Sequence, residues 1–356
     1  MKQMTTHERM TRICRHQQAD RVPITDWIWE STLARWRREG LPKDVNWARY
    51  FDLDNIVMFF LDTTPRFKTE ILEETDTYRI ERDEWGVTKK NFKPVSATFQ
   101  HIDHAVRDRK TWRTAKRRMK PTRDRVNWQI LEAHYATWRQ QGAWIMVAPW
   151  FGYDVVSTRT CGSETIFLAM ADDPDWVRDM CETGCELSLA LLEMIHEAGY
   201  EFDELMWYDD MAYRNGLMFS KDMWRQIIRP YQKRTIDWAH AHGMKAHLHS
   251  CGRMTELIPE LIDLGLDMLN PLEVKAGMEP EKIKKRFGRQ LVLRGGFDIR
   301  NWSDAEKAER EIRSKLPVMM ESGGYIFASD HTIADDVSLE DYRRIVALAK
   351  KIGKYG

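Results

Sequence analysis

From Gly142 onward, short apolar runs of strand length alternate with longer amphipathic segments, and that alternation restricts the chain to an α/β fold with a mostly parallel sheet. The strand-like runs are Ala143–Ala148, Glu204–Tyr208, Lys245–Ser250, Asp267–Asn270, Gln290–Leu293 and Gly324–Ala328. Helices are predicted over Pro174–Ala198, Ser220–Ala241, Met254–Leu264, Pro280–Phe287, Ser303–Leu316 and Ser338–Lys351. Local punctuation agrees: Ser303 with Glu306 reads as a capping box, Ser338 as an N-cap, and Gly199, Gly243, Gly265, Gly288 and Gly353 follow helix ends. Upstream, residues 20–25 read as a turn leading into a strand and Asn55–Leu61 as a second strand. The total is about eight βα units, the number that closes a TIM (β/α)8 barrel. An open doubly wound sheet is the alternative, but no Gly-rich phosphate turn follows the first strand.

The 356-residue length fits one barrel domain spanning 1–356. Residues 66–140 differ in texture. Short alternating pieces up to residue 102 read as an antiparallel hairpin excursion, and charged helical segments follow, so this N-terminal stretch is expected to be an inserted hairpin and helical lobe. Lysine plus arginine equals aspartate plus glutamate at 55 each, which leaves no basic field for nucleic acid. No apolar run is long enough to span a membrane, and the first residues lack the apolar segment of a signal peptide. Five scattered cysteines argue against a disulfide framework and for a reducing, cytoplasmic location.

Catalytic groups in a TIM barrel stand at the C-terminal ends of the strands. Here those positions carry Asp26, Trp27, Trp29 and Glu30; Asp62; Trp150, Phe151 and Tyr153; Asp209 and Asp210; His249 and Cys251; Asn270 and Glu273; Asp298; and Asp330 with His331. Strand side chains alternate faces, so His249 and Cys251 project to one side with Cα atoms roughly 6.5–7 Å apart. That spacing lets an imidazole nitrogen and a thiolate share one metal ion. His331, after the last strand, is the expected third ligand, and a thiolate in the set favours zinc over magnesium. The competing reading makes His249 a hydrogen-bonded core histidine and Cys251 a buried thiol. His247, a step deeper, is expected to pack or to support the ligands. Asp209 and Asp210 either cap the following segment or point into the mouth.

Several of these stretches together resemble the uroporphyrinogen decarboxylase superfamily. They are Asp20-Arg-Val-Pro-Ile24, Asp209-Asp-Met-Ala-Tyr213 with Gly216 and Ser220, His249-Ser-Cys-Gly252, Asn270-Pro-Leu-Glu273, Gly295-Gly-Phe-Asp298 and Ser329-Asp-His-Thr332. The resemblance implies a TIM barrel and one of two chemistries: cofactor-free decarboxylation of uroporphyrinogen, or zinc-dependent methyl transfer between a corrinoid protein and a thiol or methylated small molecule. Decarboxylases of this family carry Arg-Gln-Ala-Gly-Arg after the first strand, where this chain has Trp27-Ile-Trp-Glu-Ser31 without an arginine. The methyltransferase branch binds zinc through His-x-Cys and a later cysteine; His249 and Cys251 match the first half, and His331 stands at the later position.

By this resemblance the chain is closer to the methyltransferases, with zinc and a corrinoid (cobalamin) co-substrate. His249, Cys251 and His331 are then the metal ligands, and Asp209, Glu273 and His331 the catalytic set. Trp29, Trp150, Tyr153, Trp207, Asp210 and Asp298 are expected to bind substrate. A corrinoid protein is the expected partner, and the family implies a homodimer. Two alternatives are decarboxylation of a tetrapyrrole and a non-catalytic barrel that binds a corrinoid or tetrapyrrole.

Overall fold

A computed structural model of the chain describes residues 3–93 and 98–356. Its centre is a curled parallel sheet of seven strands in the order Ile56–Phe60, Trp144–Ala148, Glu204–Tyr208, Lys245–His249, Met268–Asn270, Val292–Arg294 and Tyr325–Ile326. Strand order equals chain order, so every crossover adds its strand on the same side, as in a singly wound barrel. Residues 23–25 close the ring. The Phe327 N–H donates to the Pro23 carbonyl, the Thr25 N–H to the Phe327 carbonyl, and the Asp54 N–H to the Ile24 carbonyl. This segment is therefore the eighth stave of a TIM barrel, between the last strand and the second.

The strands are rich in apolar residues because both faces are covered, by barrel interior on one side and helices on the other. Trp144–Ala148 is buried at every residue, and Glu204–Tyr208 at every residue but the last. Pro174–Glu197, Pro280–Phe287 and Leu339–Ile352 match their predicted spans within a residue or two. Ser338 caps the last of these by accepting the Asp341 N–H. The capping box at Ser303 does not form. Helix Ala305–Met320 is instead capped by Asp304, whose carboxylate accepts the Lys307 N–H and whose negative charge suits the positive helix end. The predicted Ser220–Ala241 helix is broken into Lys221–Met223, a wide π-helical turn over Trp224–Ile228, and Arg229–Ala241. The break falls beside Pro230, which has no N–H to continue the ladder.

Between strands Ile56–Phe60 and Trp144–Ala148 lies an antiparallel four-stranded sheet, Glu70–Glu74, Tyr78–Arg82, Val87–Phe92 and Gln100–His104. Helices Arg109–Lys116 and Trp128–Gln140 follow, the second leading directly into the next barrel strand. At the opposite end from the strand C-termini, Asp54 is buried and collects Arg9, the Arg21 guanidinium at 2.7 Å and the Ile24 N–H at 2.7 Å. Arg9 also holds Asp20 through two bonds of 2.7 and 2.8 Å. The Asp20-Arg-Val-Pro-Ile24 stretch thus fastens the N-terminal helix Thr6–Cys14 and the closing strand to the barrel floor. No helix is long and apolar enough to cross a membrane among the described residues.

Candidate metal and substrate site at the barrel mouth

The strand ends converge as the pleat dictates. Glu204–Tyr208 and Lys245–His249 run parallel with Tyr208 opposite His249, so the residues just beyond each strand share one level of the mouth. There Asp210, His249 and Cys251 form a three-ligand cluster whose donor atoms all lie within 4.8 Å of one another. His249 Nε2 is 3.5 Å from Cys251 Sγ and 3.8 Å from Asp210 Oδ1. Tetrahedral zinc with bonds of about 2.0–2.3 Å needs ligand atoms about 3.3–3.8 Å apart, and both distances from His249 fit.

The remaining nitrogen of His249 adds a second test. Nδ1 lies 3.0 Å from the Asn270 amide nitrogen Nδ2, while the Asn270 Oδ1 is buried without a partner, which favours the amide turned end for end. With the amide turned so that this oxygen faces Nδ1, the carbonyl accepts Nδ1–H and leaves Nε2 unprotonated toward Cys251 and Asp210. Metal-binding histidines are held in this way. Burial, then the neighbouring His247, Arg294 and His331, push the His249 pKa down to about 3, so the imidazole is neutral at pH 7, as a ligand must be. Burial raises the Cys251 thiol well above its ordinary value, with Asp210 and Glu273 adding to it. A thiol in that surrounding ionises only when a cation joins it.

The third member of the cluster is Asp210, where the spacing had pointed to His331. His331 stands in the same mouth, but it comes from the opposite part of the ring and its nitrogens do not join the metal-sized group. Asp210 is fixed by the Cys251 N–H at 2.7 Å, so the same turn that presents the thiol orients the carboxylate. Glu273 accepts the Gly252 N–H at 2.6 Å and faces Lys275 at 3.2 Å. Gly252 has φ +84°, and a Cβ there would sit 2.3 Å from the Ala212 carbonyl, so only glycine permits the turn to seat against residues 212–213.

Two chambers meet at this cluster. An outer cleft of about 660 Å³ is lined by Tyr153, Asp154, Glu273, Lys275 and Arg300, and an inner chamber of about 250 Å³ by Trp27, Trp29, Tyr208, Asn270 and Arg294. Asp210, Cys251 and His331 border both. Asp210 and Asp154 are both driven toward the protonated form by burial, Asp154 further because Asp210 and Asp209 are close; the carboxyls of this wall do not all ionise together.

Several expected site residues lie elsewhere. Asp209 points away from the mouth: it is wholly buried and accepts Tyr231 O–H at 2.7 Å, Gln232 N–H at 2.8 Å and the Asp154 N–H at 3.0 Å. Burial outweighs those donors and lifts its pKa to about 6. Trp207 is buried against Phe151 and lines neither chamber. Asp298 caps residues 299–301 and pairs with Arg300. Trp150 borders a separate groove of about 1130 Å³ beside the antiparallel sheet, with its ring stacked 4.5 Å from Tyr208, which in turn faces His249. Trp29 and Tyr153 do reach the mouth, one in each chamber. His247 gives Nδ1 to Glu204 at 2.5 Å within the barrel. Sequence reasoning passed over Asp154, Tyr208 and Arg294; the signal for Arg294 is a single charge ending the apolar run Leu291-Val-Leu-Arg294.

A profile of the uroporphyrinogen decarboxylase (URO-D) family matches residues 146–352, more than half of the chain. Among solved structures, a methyltransferase from Methanosarcina mazei is similar with a TM-score of 0.67 and 16% sequence identity, over 98% of this chain and 99% of that one. At that identity the likeness speaks to the fold. A Listeria monocytogenes protein assigned as a vitamin-B12-independent methionine synthase gives a TM-score of 0.40 at 10% identity, over 95% of this chain and 98% of the other. The curated proteins give no significant match.

Proposed function

The chain belongs to the uroporphyrinogen decarboxylase family, and from that premise we propose that it is a zinc-dependent methyltransferase moving a methyl group between a corrinoid, carried by a partner protein, and a thiol or methylated small molecule. The observation that carries this reading is the nitrogen, sulfur and oxygen donor set of His249, Cys251 and Asp210 between two chambers. The methyltransferase fold of the Methanosarcina mazei protein is in keeping with it. So is the lack of an arginine in Trp27–Ser31, where a porphyrinogen decarboxylase needs cations for several carboxylates.

Zinc bound at this cluster would supply Lewis acidity, holding an acceptor thiol as thiolate or activating a substrate heteroatom. The chain's own part is positional. Asn270 fixes the His249 tautomer, the Cys251 N–H fixes Asp210, and Glu273 with Gly252 fixes the turn that presents the thiol. In the transfer, the acceptor sulfur forms its bond to the methyl carbon as the donor bond on the opposite side breaks, and that bond's electron pair leaves with the donor. The inner chamber seats the small molecule, with Trp27, Trp29 and Tyr208 excluding water. The outer cleft opens the same wall to the corrinoid. Asp154, pushed toward its protonated form by burial and then by its carboxylate neighbours, keeps the negative charge of that wall down.

Elemental analysis of protein purified without added zinc tests the reading. About one zinc per chain is expected in the wild type and none in Cys251→Ala. Methylcobalamin with the wild type should lose its methyl group to an added thiol, followed in the cobalamin spectrum. Metal-free wild type that nonetheless decarboxylates uroporphyrinogen would overturn the proposal in favour of the family's other chemistry.

A further inference from the structure

Arg294 ends a buried barrel strand and is only 5% exposed, yet it borders the inner chamber. Among the described residues no carboxylate lies within ion-pairing distance of it and no group accepts a hydrogen bond from it; the guanidinium lies over the face of the Trp27 ring, 5.3 Å away, and Glu204 and Asp26 act on it only from longer range. The nearby acids are already engaged. Asp26 accepts the Ser329 N–H and O–H with one oxygen and the Tyr342 O–H with the other. Glu204 faces His247 with one oxygen and accepts Trp144 Nε1–H with the other. A buried cation without a hydrogen-bonded counter-ion is costly, and five N–H donors remain to be satisfied. A guanidinium presents these donors as a flat fork that matches an oxyanion at two points.

We infer that the inner chamber takes its small molecule by a carboxylate held on Arg294, with the organic part lying among Trp27, Trp29 and Tyr208 toward Cys251. The charge count favours a monoanion. Asp26 and Asp210 already border the same chamber, so a dianion such as a phosphate monoester would add repulsion that one arginine does not offset. The substrate class is then a carboxylic acid bearing the methylated or methyl-accepting atom a short distance from the carboxylate. This deepens the reading of the mouth as a substrate site and rests on it, while the carboxylate contact with Arg294 itself requires neither zinc nor methyl transfer.

Calorimetric titration with benzoate and with its neutral isostere benzamide separates the two. Protein stripped of metal by chelator is used beside untreated protein, so that a carboxylate binding to the metal is told apart from one binding to Arg294. Benzoate should bind the stripped wild type at least about tenfold more tightly than benzamide. The preference should vanish in Arg294→Gln and survive, weakened several-fold, in Arg294→Lys. Because the arginine serves a ligand, Arg294→Gln should not lower the melting temperature of the free protein, whereas a structural role would. Equal affinity of the stripped wild type for both probes overturns the proposal even if Arg294→Gln fails to fold. So does a preference that Arg294→Gln leaves intact. Loss of zinc binding with the benzoate preference retained would defeat the metal reading alone.

Discussion

His249 has two ring nitrogens, and Asn270 faces one of them at 3.0 Å. With its amide oxygen turned to that nitrogen, Asn270 would act through another residue, leaving Nε2 free while touching no reacting atom itself. Asn270→Ala should therefore lower zinc affinity about 10–100-fold while leaving the fold intact. Competition with a chromogenic chelator measures this, and unchanged affinity would remove Asn270 from the site. Asp209 and Asp210 illustrate the opposite case, in which neighbours of identical chemistry have unrelated roles. Asp209 is spent on Tyr231, Gln232 and the Asp154 backbone, whereas the side chain of Asp210 is 37% exposed to the chambers. Both were legible as strand-end carboxylates. Which one enters the mouth depends on how the loop leaves the strand, and no residue type records that.

Among the elements, the turn at residues 249–252 was the most legible in the sequence, because a period of two is a property of any strand. It is also the most constrained. Ala212 leaves no room for a Cβ at position 252, and the backbone there is left-handed. Gly252→Ala is expected to destabilise the protein by about 1–3 kcal/mol and to displace Cys251, with loss of bound metal. Urea melts and elemental analysis of the same preparation would test both parts; a variant as stable as wild type that retains its metal would contradict this account. The helix spans were also readable, since capping residues and glycines mark their ends. Exceptions arose where two signals competed, as with Ser303 and Asp304, or where Pro230 broke a continuous pattern.

For the whole molecule, closure of the barrel depends on residues 23–25, held from below by Arg9, Asp20, Arg21 and Asp54. Burial pushes the Asp20 carboxyl up, but Arg9 and the Met4 and Arg21 N–H groups outweigh it and hold its pKa at about 2. The folded value lies below the unfolded one. The stabilisation is therefore complete above about pH 4 and is lost as pH falls toward about 2. With solvent screening part of the pair, Asp20→Asn should cost about 1 kcal/mol at pH 7, with the difference from wild type closing by pH 2. Urea denaturation at several pH values checks this, and a difference that does not change with pH would exclude Asp20 as its source.

The sequence by itself determined the α/β barrel, the strand ends that gather at its mouth and the His-x-Cys pair that the structure places together there, because periodicity and spacing are local properties of the chain. Only the tertiary structure decided that Asp210, not His331, joins His249 and Cys251 in one cluster, that Asp209 and Trp207 are buried and line neither chamber, and that Arg294 borders the inner chamber with no ion-pair partner among the described residues. Those outcomes depend on which strand ends stand side by side once the ring closes. Closure brings together residues distant in the chain through a register that no single segment contains.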